Sequence, residues 1–219
     1  RWNLELMERK LRDVPDEPHR KYLDKIYRNV DRMIALISDF LSVSKLETGT
    51  FSANAEQIEL RQYFTDVADE YEPDLTKKQI ALELSTQPED ATITADTRLF
   101  HIVTSNLLSN AVKYTPEGGR VAFGYQVVEN ELVITVADSG IGIPADEQGA
   151  LFEKFFRARN AQKHKSGGTG LGLTLCRQLV RNLALDPAFT THLFLDPYFD
   201  DPAEFLAVLC RSITGKGPA

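Results

Sequence analysis

Residues 106–119 read NLLSNAVKYTPEGG. Asn106, Asn110 and Lys113 fall at i, i+4 and i+7, so one helix face carries two carboxamides and an ammonium. The adjacent row, Leu99, Val103, Leu107 and Ala111, is apolar and predicts a core-facing stripe. Asparagine is a mediocre helix former, because its side chain competes for backbone hydrogen bonds. Two of them beside a core stripe either satisfy local backbone or hold a ligand. An amide oxygen can ligate Mg²⁺, which keeps waters and phosphate oxygens as its other ligands, and a lysine meets phosphate as a point charge.

Three downstream segments bear on that choice. VADSGIGIP (136–144) places Asp138 at a strand end, with Gly140 and Gly142 in the turn after it. A carboxylate there can accept from an exocyclic amine while the glycines admit a flat ring, or the segment is a plain Asp-Ser-Gly turn. LFEKFFRARNAQKHKSGG (151–168) offers Phe152, Phe155 and Phe156 to pack a loose loop on the core. It also carries Lys154, Arg157, Arg159, Lys163 and Lys165 with no acidic residue between 154 and 165, which reads as a solvated face or as a basic lid over a polyphosphate. Finally, Gly167, Gly168, Gly170 and Gly172 precede a helix-like run. They do not make a P-loop, since no Lys follows until Lys216, nor a G-x-G-x-x-G loop, since Leu173 occupies the third glycine's place. Alone, this loop fits a helix-capping linker as well as a phosphate cradle.

Upstream, residues 1–48 read as a helical hairpin broken by PDEP (15–18). Leu23, Ile26, Val30, Met33, Ile37 and Phe40 repeat at 3-4-3-4-3, widened by Tyr27, Ile34 and Leu41. A stripe that wide suits a four-helix arrangement made by two copies of the hairpin, or one amphipathic helix packed on its own domain. A linker at 49–57 follows, with Gly49 as a helix cap. From residue 58 short alternating strands, VAFGYQVV and ELVITVA among them, mix with helices. The fold class is therefore α+β, a helical hairpin followed by an α/β sandwich with strands on one side and helices on the other.

The 219 residues carry a net charge of −7, which argues against nucleic acid as the main partner. Cys176 and Cys210, both in apolar helical contexts, read as buried free thiols rather than a disulfide or metal pair. No apolar run reaches the length of a membrane span, so no membrane segment is expected in this chain.

Taken in order, NLLSNAVKYTPEGG, DSGIGIP, LFEKFFRA and GGTGLGLTL resemble the N, G1, F and G2 boxes of sensor histidine kinases. The catalytic domain of that family has the Bergerat ATP-binding fold, shared with gyrase, mismatch-repair and chaperone ATPases. RNVDRMIALISDFLSVSKLETG (28–49) looks like the second helix of the family's dimerisation hairpin, and ADTRLFHIV (95–103) like the lead into its N box. The resemblance spans roughly residues 20–183 and implies ATP and Mg²⁺ as cofactors. It implies Asn110 as metal ligand, Asn106 as a neighbouring contact, and Lys113 and Tyr114 on the phosphate and ribose side. It further implies Asp138 on the adenine amine beside Gly140 and Gly142, and Arg157 near the γ-phosphate. Gly168, Thr169, Gly170, Leu171 and Gly172 would hold the phosphates, and Asn110, Lys113 and Arg157 would form the catalytic set. Expected partners are a second copy through the hairpin and the receiver domain of a response regulator, in the cytoplasm, with a parent protein compatible with membrane anchoring.

Two departures set further expectations. None of His19, His101, His164 and His192 stands in the family's acceptor context, so no phosphoacceptor is assigned. The hairpin is read as truncated, with the acceptor upstream in a longer parent, so that this chain would not phosphorylate itself. The alternatives are a catalytically degenerate nucleotide-sensing or scaffolding module, and a different Bergerat ATPase or anti-sigma serine kinase. The second departure is a tail at 184–219, set apart from the ATP-binding domain at 58–183. It lacks the expected glycines: FTTHLFL (189–195) predicts a strand, and DPAEFLAVLCRSI (201–213) a helix capped by Asp201 with Pro202 at its first position. That reading puts the sheet's usual last hairpin in doubt.

Overall fold

The computed structural model describes residues 54–128, 131–163, 168–183, 189–194 and 207–212, with helical backbone also at Ile26, Val30, Met33, Ile34, Ile37 and Leu41. Those six positions belong to the predicted second hairpin helix, and all but Val30 have exposed side chains. The first hairpin helix, the PDEP turn and His19 lie outside the described residues.

Strand β1 (Glu56–Glu59) leads into α1 (Leu60–Glu70) and α2 (Glu72–Lys78), then β2 (Ala81–Gln87) and β3 (Thr92–Ala95). Helix α3 (Thr97–Tyr114) carries the asparagine row, and β4 (Arg120–Val128) and β5 (Glu131–Asp138) follow it. Beyond a 3-10 turn at Ala145–Ala150 come α4 (Arg159–Lys163), α5 (Gly172–Leu183), β6 (Phe189–Phe194) and β7 (Ala207–Ser212). β1 pairs antiparallel with β3, while the main sheet runs β2-β4-β5-β7-β6, with β2 and β4 parallel and the other pairs antiparallel.

Period-two alternation sets the sheet's inner face. Val121, Phe123 and Tyr125 of β4 and Leu132, Ile134 and Val136 of β5 are all buried, while Ala122, Val133 and Thr135 between them are less so. Helix α3 buries Leu99, Val103, Leu107 and Ala111 as the spacing predicts, and α1 adds Leu60, Phe64 and Val67. Phe64 stacks on Phe123 at 4.7 Å between ring centroids. Cys176 is fully buried and its thiol is pushed up to about 12 by that burial, as suits an unreactive core residue. Among the described residues no helix is long and apolar enough to cross a membrane.

The tail corrects one expectation. FTTHLF forms β6 as predicted, but residues 207–212 form a strand and not a helix. β7 lies between β5 and β6, pairing Leu209 with Val133 and Val208 with Ile134. The edge of β5 supplies the reason: a row of unpaired N–H and C=O groups outweighs the weak local preference of AVLCRS for a helix turn. The sheet therefore has its final hairpin.

Candidate nucleotide site

Helix α3 is fixed at both ends. Asp96 caps its start, accepting from the backbone N–H of Arg98 (3.0 Å) and Leu99 (3.3 Å). The Arg98 side chain also bonds this carboxylate and is the main cause holding it down to about 2. Asp96 also accepts from the N–H of Asn54 (2.8 Å), tying the segment before β1 to the start of α3. At the other end the last carbonyls are taken up one by one. Ala111 O accepts the N–H (3.0 Å) and Oγ1–H (2.7 Å) of Thr115, and Tyr114 O accepts the N–H of Ile141 (3.3 Å). The ammonium of Lys78 donates to the carbonyls of Val112 (2.7 Å), Lys113 (2.9 Å) and Thr115 (2.9 Å).

Beside the polar row of α3 lies a cavity of about 350 Å³. Asn106, Asn110, Lys113, Tyr114, Asp138, Gly142, Arg157, Gly168, Thr169, Gly170 and Gly172 all line it. These come from four separate stretches of sequence. Two expected residues sit outside the lining. Gly140 lies behind Asp138 and donates its N–H to Oδ1 at 2.8 Å, and Leu171 is buried in the core. Asn106 combines both readings of the asparagine row: it lines the cavity, and its Nδ2 donates to Ile102 O at 2.7 Å.

The inner-face alternation of β5 continues to its last residue, so Asp138 follows Leu132, Ile134 and Val136 toward the core. Burial pushes its carboxyl up to about 6, against the opposing pull of the Gly140 hydrogen bond. The following turn needs glycine at Gly142, whose φ is +62°. Asn160, from α4, donates to the carbonyls of Ile141 (3.2 Å) and Gly142 (2.8 Å) and joins the lining. No periodicity in the sequence marks Asn160, because its partners are loop carbonyls.

The rest of the lining is basic and glycine-rich around Lys113. Cβ atoms at Gly168 and Gly172 would meet Lys113 Nζ at 2.6 Å and Asn106 Oδ1 at 2.4 Å, so the loop's backbone lies directly against the polar row. Gly170 has φ +71°, and its carbonyl accepts the N–H of Phe155 at 2.9 Å. Helix α5 then starts at Gly172, turning its N-terminal amides toward the cavity. Thr174 Oγ1 donates to Phe152 O at 3.0 Å, fastening the lid's root to α5.

The lid departs from expectation in two places. Phe155 is 60% exposed with φ +64° instead of packing inward. Arg159 turns away from the cavity to Asp146 and Glu147, so its charge is matched outside the site. Arg157 is the lid cation that lines the cavity among the described residues, and its Nη2 donates to Ala161 O at 3.0 Å. Lys165 lies outside the described residues. The result is a cavity whose lining brings together a carboxylate, an ammonium, a guanidinium and a glycine-rich loop. That donor set fits a ligand with an amine at one end and phosphates at the other, with Asn110 as an oxygen donor for a bound Mg²⁺.

Comparisons with known proteins agree with that shape. Residues 95–192 match the family model "Histidine kinase-, DNA gyrase B-, and HSP90-like ATPase", and residues 1–49 match "His Kinase A (phospho-acceptor) domain". The chain is 35% identical over 164 residues to the sensor histidine kinase WalK of Bacillus subtilis, covering 74% of this chain and 26% of that protein. It is also 35% identical over 150 residues to the adaptive-response sensory kinase SasA of Rippkaea orientalis, covering 68% and 38%. The chain thus spans well under half the length of these relatives. Among solved structures, full-length ShkA in complex with AMPPNP superposes with a TM-score of 0.70 at 20% identity, covering 92% of this chain and 40% of that one. The catalytic domain of ThkA gives 0.60 at 22%, covering 73% and 96%. The match at 1–49 does not support the expectation that the phospho-acceptor box is absent. That expectation rested on one short motif around the histidine, whereas a family model weighs the whole two-helix pattern. The one histidine in the matched segment is His19.

Proposed function

The chain belongs to the sensor histidine kinases, and on that premise we propose that its cavity binds ATP with Mg²⁺ and directs the γ-phosphoryl group to a histidine, for relay to a response-regulator receiver domain. The observation that carries this reading is the cavity's lining, which gathers the partly buried Asp138 carboxylate with Lys113, Arg157 and the glycine loop around one space. Asp138 accepts the adenine amine, with Gly142 leaving room for the ring. Lys113 and Arg157 counter phosphate charge, the amides of Gly168, Thr169, Gly170 and Gly172 hold the phosphate oxygens, and Tyr114 borders the ribose side. Asn110 would hold Mg²⁺ through its amide oxygen, and the ion would supply positive charge to neutralise the phosphates. Phosphoryl transfer depends mainly on such positioning and charge neutralisation.

Residues 58–183 are read as the catalytic unit, with β6 and β7 completing its sheet, residues 1–48 as the dimerisation hairpin and 49–57 as the linker. The exposed Ile26, Met33, Ile34, Ile37 and Leu41 support a homodimer through that helix, since such a stripe is costly to leave in water. Use of ATP, a cytoplasmic metabolite, supports a cytoplasmic location for this region.

Calorimetric titration with a non-hydrolysable ATP analogue tests the binding step. The expected outcome is Mg²⁺-dependent binding that Asn110→Ala weakens by tenfold or more, on the order of 1.4 kcal/mol. No binding, or binding indifferent to Asn110→Ala, rejects the assignment. Labelling with γ-phosphate-labelled ATP, followed by mapping of acid-labile phosphate, then identifies the acceptor. Binding without transfer in any dimeric form would instead mark a nucleotide-sensing module.

A further inference from the structure

Lysine at the C-terminus of a helix normally comes from the helix's own last turn, where it meets the exposed carbonyls and the negative end of the dipole. In α3 that residue is Lys113, and it is committed elsewhere. Its Nζ lies over the Tyr114 ring at 4.8 Å and would sit 2.6 Å from a Cβ at Gly168, on the cavity side. The carbonyls it leaves are met from another element. Lys78, the last residue of α2, spends its three N–H donors on Val112 O, Lys113 O and Thr115 O. The loop after α3 returns the contact, since the N–H of Gly118 donates to Lys78 O at 2.9 Å.

We propose that Lys78 is a positioning residue of the nucleotide site: by clamping the last turn of α3 from behind, it aims Lys113 and Tyr114 into the cavity. The proposal rests on the nucleotide reading above and deepens it. The clamp is local. Asn110 stands before the clamped carbonyls, within the hydrogen-bonded body of α3, and Asp138 belongs to β5. Lys78 therefore governs the phosphate and ribose end of the cavity more than the adenine end. The neighbouring tie, Ile141 N–H to Tyr114 O, uses no Lys78 atom and holds the loop after β5 to α3 by a separate bond.

Two measurements test this on the full chain. The first needs no nucleotide. Hydrogen exchange should speed up at 113–119 in Lys78→Met while amides at the start of α3 keep their protection. Unchanged exchange at 113–119 overturns the clamp whether or not ATP binds. The second compares ligands. Lys78→Met should weaken AMPPNP binding about tenfold and adenine binding less than about twofold. Lys113→Ala added to Lys78→Met should weaken AMPPNP little further, because both act through one contact. Lys78→Arg should restore part of the affinity, and methylammonium part of that lost in Lys78→Ala. Equal loss for both ligands, additivity with Lys113→Ala, or no rescue would mean that Lys78 only supports the fold. If the unmutated chain fails to bind AMPPNP, the nucleotide reading falls and this inference with it, while the exchange result still reports on the clamp.

Discussion

Asp138 shows how a single position serves the site at the expense of the fold. Strand alternation carries its carboxylate onto the core face, where desolvation favours the neutral acid and raises its pKa to about 6 from 3.8. The folded state therefore holds this proton more tightly than the unfolded chain does. The stabilisation this gives is fully present below pH ~4 and is lost as pH rises through about 6, a swing on the order of 2–3 kcal/mol. Asp138→Asn is thus expected to raise the melting temperature at pH 7.5, with little change at pH 4, while weakening AMPPNP binding by about tenfold or more. In the unmutated chain, affinity should fall as pH drops through 6, because the protonated acid loses its charge-assisted bond to the amine. Thermal melts and titrations across pH 5–8 check both limbs. A less stable Asp138→Asn at pH 7.5, or flat affinity, would contradict this account.

At the scale of elements, α3 depends on caps contributed from outside it. Asp96 joins the first turn of α3, the Arg98 side chain and the Asn54 amide in one buried carboxylate. Asp96→Ala should destabilise the chain by about 1–2 kcal/mol, read as a lower urea midpoint at pH 7. Because Arg98 holds the folded-state pKa near 2, this contribution is present above pH ~4 and disappears as pH falls through about 2. The mutant and parent midpoints should converge in strong acid. The helix itself, its buried row and the hairpin of β4 and β5 were legible in the sequence, because each repeats a period over many residues. The strand at 207–212 was not, since AVLCRS suits a helix turn or a strand and the deciding partner is the distant edge of β5. Within the cavity, residue types and spacing pointed to Asn110, Asp138 and the glycine loop. They could not show that Lys78 caps α3, that Asn160 joins the loop after β5, or that Arg159 turns outward. Those are contacts between segments with no local pattern.

For the molecule as a whole, the last hairpin decides whether the sheet ends safely. Deleting residues 184–219 would leave β5 as an open inner edge, although every residue lining the cavity remains. The expected result is a melting temperature lower by several degrees and aggregation on size exclusion, with AMPPNP still bound by the remaining monomer. A monodisperse protein with unchanged melting would show the hairpin to be dispensable. A different consequence follows from how the lid is anchored. The stretch between Asp138 and Gly172 leaves one strand held by β4 and β7 and returns on a helix held by α3. Both anchors are fixed by core contacts that do not involve the intervening loop. Closing a longer loop between such points costs only about 0.6 kcal/mol for each doubling of its length. Over evolutionary time the lid can therefore gain or lose residues as an interchangeable insert, and lineages can diverge in lid length while inheriting the same frame.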